Sequence, residues 1–337
     1  MQSLTVDELE AVASAMHEVG EAPVGPLVAT QIAGGRSNLT FRLDDGTSRW
    51  VLRMPPRHGR TPSAHDVARE FRVTSALAPT QVPVPHPVLL RTDEAILGGP
   101  LFVARFVPGT SIQSRADLDT HDAPTVSAIV EALVGALAAL HAVDPAGVGL
   151  AGFGPDSGYA QRQIVRWTRQ WTSVGEASLT PLAEELSSRL SAFEFVQDSQ
   201  CVVHGDYRID NTLLSVEPAR VEAIVDWELS TLGDFTADVA MMCVYRDPAL
   251  DLILGFPSAW ASARLPDTDT LAGSYENLSG KSLRQWDAHL ALGYFKLAVI
   301  AAGIDHRHRA GGGQGPGYES AASAVQPLLE SGLDRIV

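Results

Sequence analysis

His204-Gly205-Asp206-Tyr207-Arg208-Ile209-Asp210-Asn211, followed by Ile224-Val225-Asp226-Trp227-Glu228, is the stretch on which the fold turns. Apolar, β-branched runs frame it. Cys201 to His204 reads as a strand entering the first segment, Thr212 to Leu214 as one leaving it, and Val221 to Val225 as one carrying the second. An aspartate in a loop, an amide five residues later and an aspartate at the end of a nearby strand make a recognisable donor set. Hard oxygens hold Mg²⁺, and a carboxylate stands beside an attacking hydroxyl, which is most of what phosphoryl transfer from ATP asks of a protein. On this chemistry Asp206 orients the hydroxyl and accepts its proton, while Asn211 and Asp226 ligate Mg²⁺. A polar loop between strands would explain either segment alone; two in this order are harder to obtain by chance.

Upstream, the first third is rich in short strands: Val28 to Ile32, Leu39 to Leu43 and Arg49 to Met54, with turns at Gly34-Gly35 and Asp44-Asp45-Gly46. A helix is expected over Ser63 to Leu77, where Val67, Phe71, Val73, Ala76 and Leu77 fall near helical spacing. Val82-Pro83-Val84-Pro85-His86-Pro87 is a stiff extended connector. Val88 to Arg91, Ala95 to Leu97 and Leu101 to Phe106 read as further strands. After Pro108-Gly109 the pattern turns helical, over Pro124 to His141, Tyr159 to Val174, Pro181 to Phe195 and again from Phe235 onward. The chain thus reads as a small antiparallel β-rich part with one helix, residues 1–106, and a larger, mainly helical part, residues 107–337.

Composition sets bounds. In 337 residues, 45% are apolar and 19% charged, values of a folded chain and not of a disordered one. A net charge of −15 repels nucleic acid and anionic membrane, so neither is expected as a partner. Cys201 and Cys243 are too few for a disulfide framework and sit in apolar runs. Met1 to Gly20 has the pattern of an amphipathic helix and lacks that of a signal peptide; with no charge-free run of about 18 apolar residues, a cytoplasmic protein is expected. Lys281 and Lys296 are the only lysines, and arginine supplies every other fixed cation.

These segments resemble the aminoglycoside-phosphotransferase and choline-kinase-like superfamily, over about Ile32 to Leu328. Within it they are most similar to kinase domains related to those fused to acyl-CoA dehydrogenases. That likeness rests on Gly34-Gly35-Arg36-Ser37-Asn38, Val51-Leu52-Arg53, Ala64-His65, Arg69-Glu70, Val82-Pro83-Val84-Pro85 and Asp226 through Asp234. The resemblance implies an α+β, two-lobed protein-kinase-like fold, with ATP and Mg²⁺ as cofactors and a small hydroxylated molecule as acceptor.

It also implies roles. Gly34, Gly35, Ser37 and Asn38 would cover the phosphates. Arg53 would replace the phosphate-binding lysine of protein kinases, keeping its charge and forked geometry, and Glu70 would fix it. Backbone groups of Arg105 and Val107 would meet adenine. Asp238 would brace the catalytic loop through backbone amides, and Asp234 would do likewise or cap a helix. On the acceptor side stand Tyr159, Gln163, Arg166 and Trp167 along one helix face, with Arg208 and Glu228. Arginines there suit an anionic acceptor, a hydroxyacyl-CoA or hydroxy acid, although Trp167 and Trp171 have the alternative of being core. An aminoglycoside or amino alcohol is the second kinase reading. A non-catalytic nucleotide-binding module is the rival of another class, and it predicts erosion at Asp206, Asn211 or Asp226 that the sequence does not have.

Overall fold

A computed structural model describes residues 3–32, 38–56, 66–155, 157–196 and 200–336. Gly34, Gly35 and Ser37, and the first residues of the helix expected from Ser63, lie outside them. The chain divides into two compact units, Met1–Gly109 with Glu222–Ser230, and Thr110–Val221 with Thr231–Val337.

The first unit is built on a five-stranded antiparallel sheet. Its strands are β1 (Val28–Gln31), β2 (Leu39–Asp44), β3 (Arg49–Met54), β4 (Pro87–Arg91) and β5 (Leu101–Arg105), in the order β1-β2-β3-β5-β4. Side chains alternate across a strand, so β3 sends Trp50, Leu52 and Met54 to one face and Arg53 to the other. The first face is sealed by helix α1 (Val6–Glu18), whose Val12, Ala15 and Met16 join Phe41, Leu43, Leu89 and Val103 in one core. Thr5 caps α1 with Glu8 in a reciprocal capping box. A smaller cluster of Val67, Phe102 and Ala104, with Phe71 and Leu90 against it, joins helix α2 (Val67–Leu77) to the sheet. Phe71 meets Phe102 edge to face at 5.6 Å.

Ala95 to Leu97, expected as a strand, is a turn instead. Asp93 accepts a hydrogen bond from the Ala95 amide (2.9 Å), Gly98 takes a left-handed φ of 69°, and a three-residue apolar run is too short to outweigh those turn-formers.

The segment Glu222–Ser230 adds itself to this unit. The Ile224 amide donates to the Pro83 carbonyl (2.8 Å), the Arg69 guanidinium to the Ser230 carbonyl (2.7 Å), and Trp227 is wholly buried with its indole N–H on the Ile224 carbonyl (2.8 Å).

The second unit is mainly helical. Its helices are α3 (Arg115–Asp119), α4 (Ala123–Ala142), α5 (Tyr159–Val174), α6 (Thr180–Ala192), α7 (Phe235–Val244), α8 (Ala249–Leu254), α9 (Thr268–Ser279), α10 (Trp286–Arg309), α11 (Pro316–Ser320) and α12 (Ala322–Arg335). Helix α10 runs through the middle, packed by α5, α6, α7, α11 and α12, while α4 packs on α9. By length and hydropathy α4 and α10 could each cross a membrane; half of the apolar stretch of α4 and 78% of that of α10 are buried inside the unit, as core helices are. Two short sheets sit among the helices. Strand β6 (Cys201–Val203) pairs with β9 (Thr231–Gly233), and β7 (Thr212–Val216) with β8 (Ala219–Ile224). Cys201 and Cys243 are both buried free thiols.

Candidate active site

In the second unit β6 is buried at all three positions, and it delivers the chain into the segment 204–211. Beyond it the side chains alternate. Tyr207 and Ile209 are fully buried, the Tyr207 hydroxyl donating to the Leu133 carbonyl of α4 (2.7 Å). Asp206, Arg208 and Asp210 therefore share the opposite side. The Arg208 guanidinium lies 3.1 Å from Asp210 and 3.6 Å from Asp206, and stacks over the Tyr245 ring at 5.0 Å. A 3₁₀ turn, Ile209–Asn211, then swings Asn211 back. Its amide nitrogen donates to the Asp206 carbonyl (2.8 Å) and carboxylate (3.0 Å), so its oxygen is the atom left to meet a cation. Tyr245 gives Asp206 a further hydrogen bond; burial first, then the charge of Asp206, hold that phenol far above its ordinary range.

Asp238, the fourth residue of α7, braces this segment. Its carboxylate is buried and accepts from the amides of His204 (2.7 Å) and Gly205 (2.8 Å), with His141 Nε2 at 3.2 Å. Burial pushes the Asp238 carboxyl upward, but His141, His204 and the amide bonds outweigh it and hold it below the ordinary aspartate range. His141 is held by Tyr275 (2.8 Å), and the carbonyl of His141 takes the ammonium of Lys281 (2.7 Å). Asp234 caps α7 through the Thr236 amide (2.8 Å). His204 is buried and accepts from the Asp206 amide (3.2 Å), a loop-fixing contact.

The expected acceptor helix is a mixture. Trp167 and Trp171 of α5 are core, and the Trp167 indole donates to Gln163 (3.0 Å). Arg166 is exposed, its guanidinium over the Trp167 ring at 4.9 Å. Tyr159, Gln163 and Trp167 border a small cavity with Gly205, Met241 and Lys296.

In the first unit Arg53 and Glu70 meet at 2.7 Å, because the alternation of β3 and the buried stripe of α2 (Val67, Glu70, Val73, Thr74, Leu77) face each other. Arg53 also reaches Asp226 at 3.0 Å. Asp226 has φ 66° and ψ 58°, a left-handed conformation that a short polar side chain tolerates, and it breaks the chain sharply between β8 and the following 3₁₀ turn. Burial raises the Glu70 carboxyl to about 7; Arg53 opposes that rise, while Asp226 and Glu228 add to it. Glu228 is close enough for its charge to act on both Arg53 and Glu70. Asn38 is buried, and neither polar atom of its amide has a hydrogen-bond partner among the described residues; the same holds for Arg53 Nε. The donors among them, Asn38 Nδ2 and Arg53 Nε, are groups that a phosphate oxygen could satisfy. The Arg105 side chain is turned to Glu21 (2.8 Å), and Val107 follows β5 in the loop leading to Gly109.

Sequence reasoning passed over Tyr245 and Lys296. Tyr245 ends an apolar helix and gives no local signal. Lys296 did leave one, as one of two lysines in the chain and the lone cation within a core helix until its last turn.

Comparison with known proteins adds a family. The model of the phosphotransferase enzyme family matches residues 28–272. The chain is 33% identical over 312 residues to acyl-CoA dehydrogenase family member 11 of Rattus norvegicus, covering 91% of this chain and 40% of that protein. It is 31% identical over 320 residues to acyl-CoA dehydrogenase family member 10 of Mus musculus, covering 94% of this chain and 30% of that protein. It thus spans less than half the length of these relatives. Among solved structures, a candidate aminoglycoside phosphotransferase of Ralstonia eutropha JMP134 superposes with a TM-score of 0.82 at 30% identity, over 97% of each chain. A thermostable mutant of aminoglycoside phosphotransferase APH(4)-Ia, solved with AMP-PNP and hygromycin B, superposes with a TM-score of 0.61 at 17% identity, over 96% of this chain and 98% of that one, a likeness of fold. With a family model matched over most of its length, a protein-kinase-like α+β fold and two curated relatives, the chain belongs to the phosphotransferase enzyme family.

Proposed function

We propose that this phosphotransferase moves the γ-phosphoryl group of ATP to a hydroxyl of a small anionic metabolite, a hydroxyacyl-CoA or hydroxy acid, with Asp206 as the group that receives the hydroxyl proton. The observation that carries this reading is the setting of Asp206. Its carboxylate is oriented by the Asn211 amide and the Tyr245 hydroxyl and lies beside Arg208.

The enzyme is an ATP-dependent phosphotransferase with an alcohol as acceptor. The acceptor oxygen forms a bond to the γ-phosphorus, the bond from that phosphorus to the leaving ADP oxygen breaks, and the hydroxyl proton passes to Asp206. Asn211 and Asp226 offer hard oxygens to Mg²⁺, which when bound neutralises phosphate charge. Arg53, held by Glu70, and Asn38 supply donors to phosphate, joined by Gly34, Gly35 and Ser37 on sequence grounds. The backbone at Arg105 and Val107 meets adenine. In this reading residues 1–106 bind nucleotide, and residues 107–337 carry catalysis and the acceptor.

Charge favours the anionic acceptor. Arg166 and Arg208 lie within electrostatic reach of Lys296, beside the carboxylates of Asp206 and Asp238, a local gathering of cations that runs against the chain's net charge of −15. A polycationic aminoglycoside would have to sit beside these three cations. Glu228 sits with Arg53 and is better suited to nucleotide-side electrostatics than to an acceptor.

The test is an ATP-consumption screen with Mg²⁺ across hydroxyacyl-CoAs, hydroxy acids, amino alcohols, sugars and aminoglycosides, with Asp206→Asn as control. Turnover of an anionic acceptor, reduced at least about 10²-fold in Asp206→Asn, is expected. Turnover of amino alcohols or aminoglycosides instead would refute the acceptor class. Mg·ATP binding without turnover of any class would favour a binding module.

A further inference from the structure

We infer that Lys296 is a positioning residue for phosphoryl transfer, clamping the peptide that carries Asp206. The inference rests on the role proposed for Asp206.

Asp206 takes its place from the peptide that joins it to Gly205. Both polar atoms of that peptide are tied. Its N–H donates to His204 Nδ1 (3.2 Å), and its carbonyl, that of Gly205, accepts from the Lys296 ammonium (2.7 Å). The preceding peptide is held by Asp238 through the Gly205 amide (2.8 Å). Gly205 has φ 81°, a left-handed turn that lets its two peptide planes face opposite partners, a carboxylate on α7 and an ammonium on α10. With the Lys296 bond removed, Asp238 still fixes where the turn begins and His204 still holds the N–H of the peptide entering Asp206, but that peptide loses the second of its two anchors, the one on its carbonyl.

Packing alone is a poor reason for a lysine at this position. Lys296 is itself half-buried, between the buried Phe295 and Leu297, and withdrawing an ammonium even partly from water has a cost. Burial lowers the Lys296 pKa, while the charges of Asp206 and Asp238 oppose that shift. An apolar residue would suit the helix better. Nor is the choice of lysine over arginine a matter of chain composition, since arginine supplies every other fixed cation outside Lys281 and Lys296. Both lysines end on a single backbone carbonyl, Lys281 on His141 (2.7 Å) and Lys296 on Gly205. A compact ammonium suits a lone carbonyl, whereas the guanidinium fork suits paired oxygens. His141 in turn contacts Asp238, so the two lysines secure the same loop from two directions.

The experiment compares wild type with Lys296→Met, Lys296→Gln and Lys296→Arg. It measures kcat and KM for ATP with the acceptor found by the screen, the melting temperature, and amide hydrogen exchange over residues 204–211. Misplacement of a reacting group by an ångström can cost about 10²-fold. Lys296→Met is therefore expected to lower kcat by roughly 10- to 100-fold with KM for ATP within about twofold, and to speed exchange at the Gly205 and Asp206 amides. Lys296→Arg should recover part of kcat. An unchanged kcat in a folded Met or Gln variant overturns the inference. So does a loss that follows the melting temperature, moves KM equally and is not relieved by arginine. If Lys296→Met does not fold, Lys296→Gln, which keeps a neutral donor, decides. If wild type turns over no acceptor, the reading of Asp206 has failed separately; faster exchange confined to 204–206 would then support the clamp, and unchanged exchange would overturn it.

Discussion

Replacing Asp238 by asparagine changes one oxygen to an amide group in a site built for two acceptors. Oδ1 takes the Gly205 amide, and Oδ2 takes the His204 amide and faces His141. Asparagine has one acceptor oxygen, so one side must turn an NH₂ group toward a buried N–H. A hydrogen bond to a charged group is worth about 1.5–3 kcal/mol, and a donor left unsatisfied adds about 1–3. With Asp238 2% exposed, the loss comes to about 3–5 kcal/mol. The second unit holds roughly 220 residues, for which each kcal/mol is about 2 °C, so its melting temperature should fall by about 6–10 °C. Calorimetry would measure that fall, and hydrogen exchange would find the His204 and Gly205 amides deprotected. The pH dependence has a definite sign. The folded carboxyl is held below its ordinary value of 3.8, so its contribution is present above that value and is lost as pH falls through the folded value. In Asp238→Asn that acid limb should flatten. A melting temperature within about 1 °C of wild type, with unchanged protection of both amides, would refute the reasoning.

Two further outcomes are expected in the first unit. Arg53→Ala strands Glu70 and Asp226 and should destabilise by about 3–5 kcal/mol; Arg53→Ala/Glu70→Gln should be less unstable than Arg53→Ala alone, and simple additivity in a double-mutant cycle would count against the pair. Asp226→Ala should weaken Mg·ATP binding by titration calorimetry, and an unchanged affinity would remove Asp226 from the metal site.

Much of the fold was open to reading because its signals are local. Arg49 to Met54 alternates cleanly, and α5 has the bounds, Tyr159–Val174, that its apolar spacing predicts. The segments around Asp206 and Asp226 carried the family. Elsewhere local signals misled, as at Ala95 to Leu97, where Asp93 and Gly98 prevailed. On α5 Trp167 and Trp171 are buried, while Tyr159, Gln163 and Trp167 also border the cavity beside Gly205: a tryptophan in an amphipathic helix carries no mark that separates core from cleft. Lys296 and Tyr245 meet the 204–206 segment from elements far along the chain. Such contacts exist only after α7 and α10 have packed, so no spacing rule could have found them.

The return of Glu222–Ser230 to the first unit has a consequence for how this protein can be made. The polypeptide passes between its two units three times, so the first unit is not a contiguous piece of the gene. A fragment ending at Gly109 would lack Trp227, a wholly buried side chain, together with the backbone partners of Pro83 and Arg69. On the ribosome the amino-terminal sheet can begin to form early, yet the first unit's buried Trp227 emerges only after the whole of Thr110–Val221 has been synthesised. Its completion is thus a long-range closure, slower than the hairpins within it. Expression boundaries drawn at Gly109 would cut through a folding unit, and exchanging first units between relatives would require two grafts, not one.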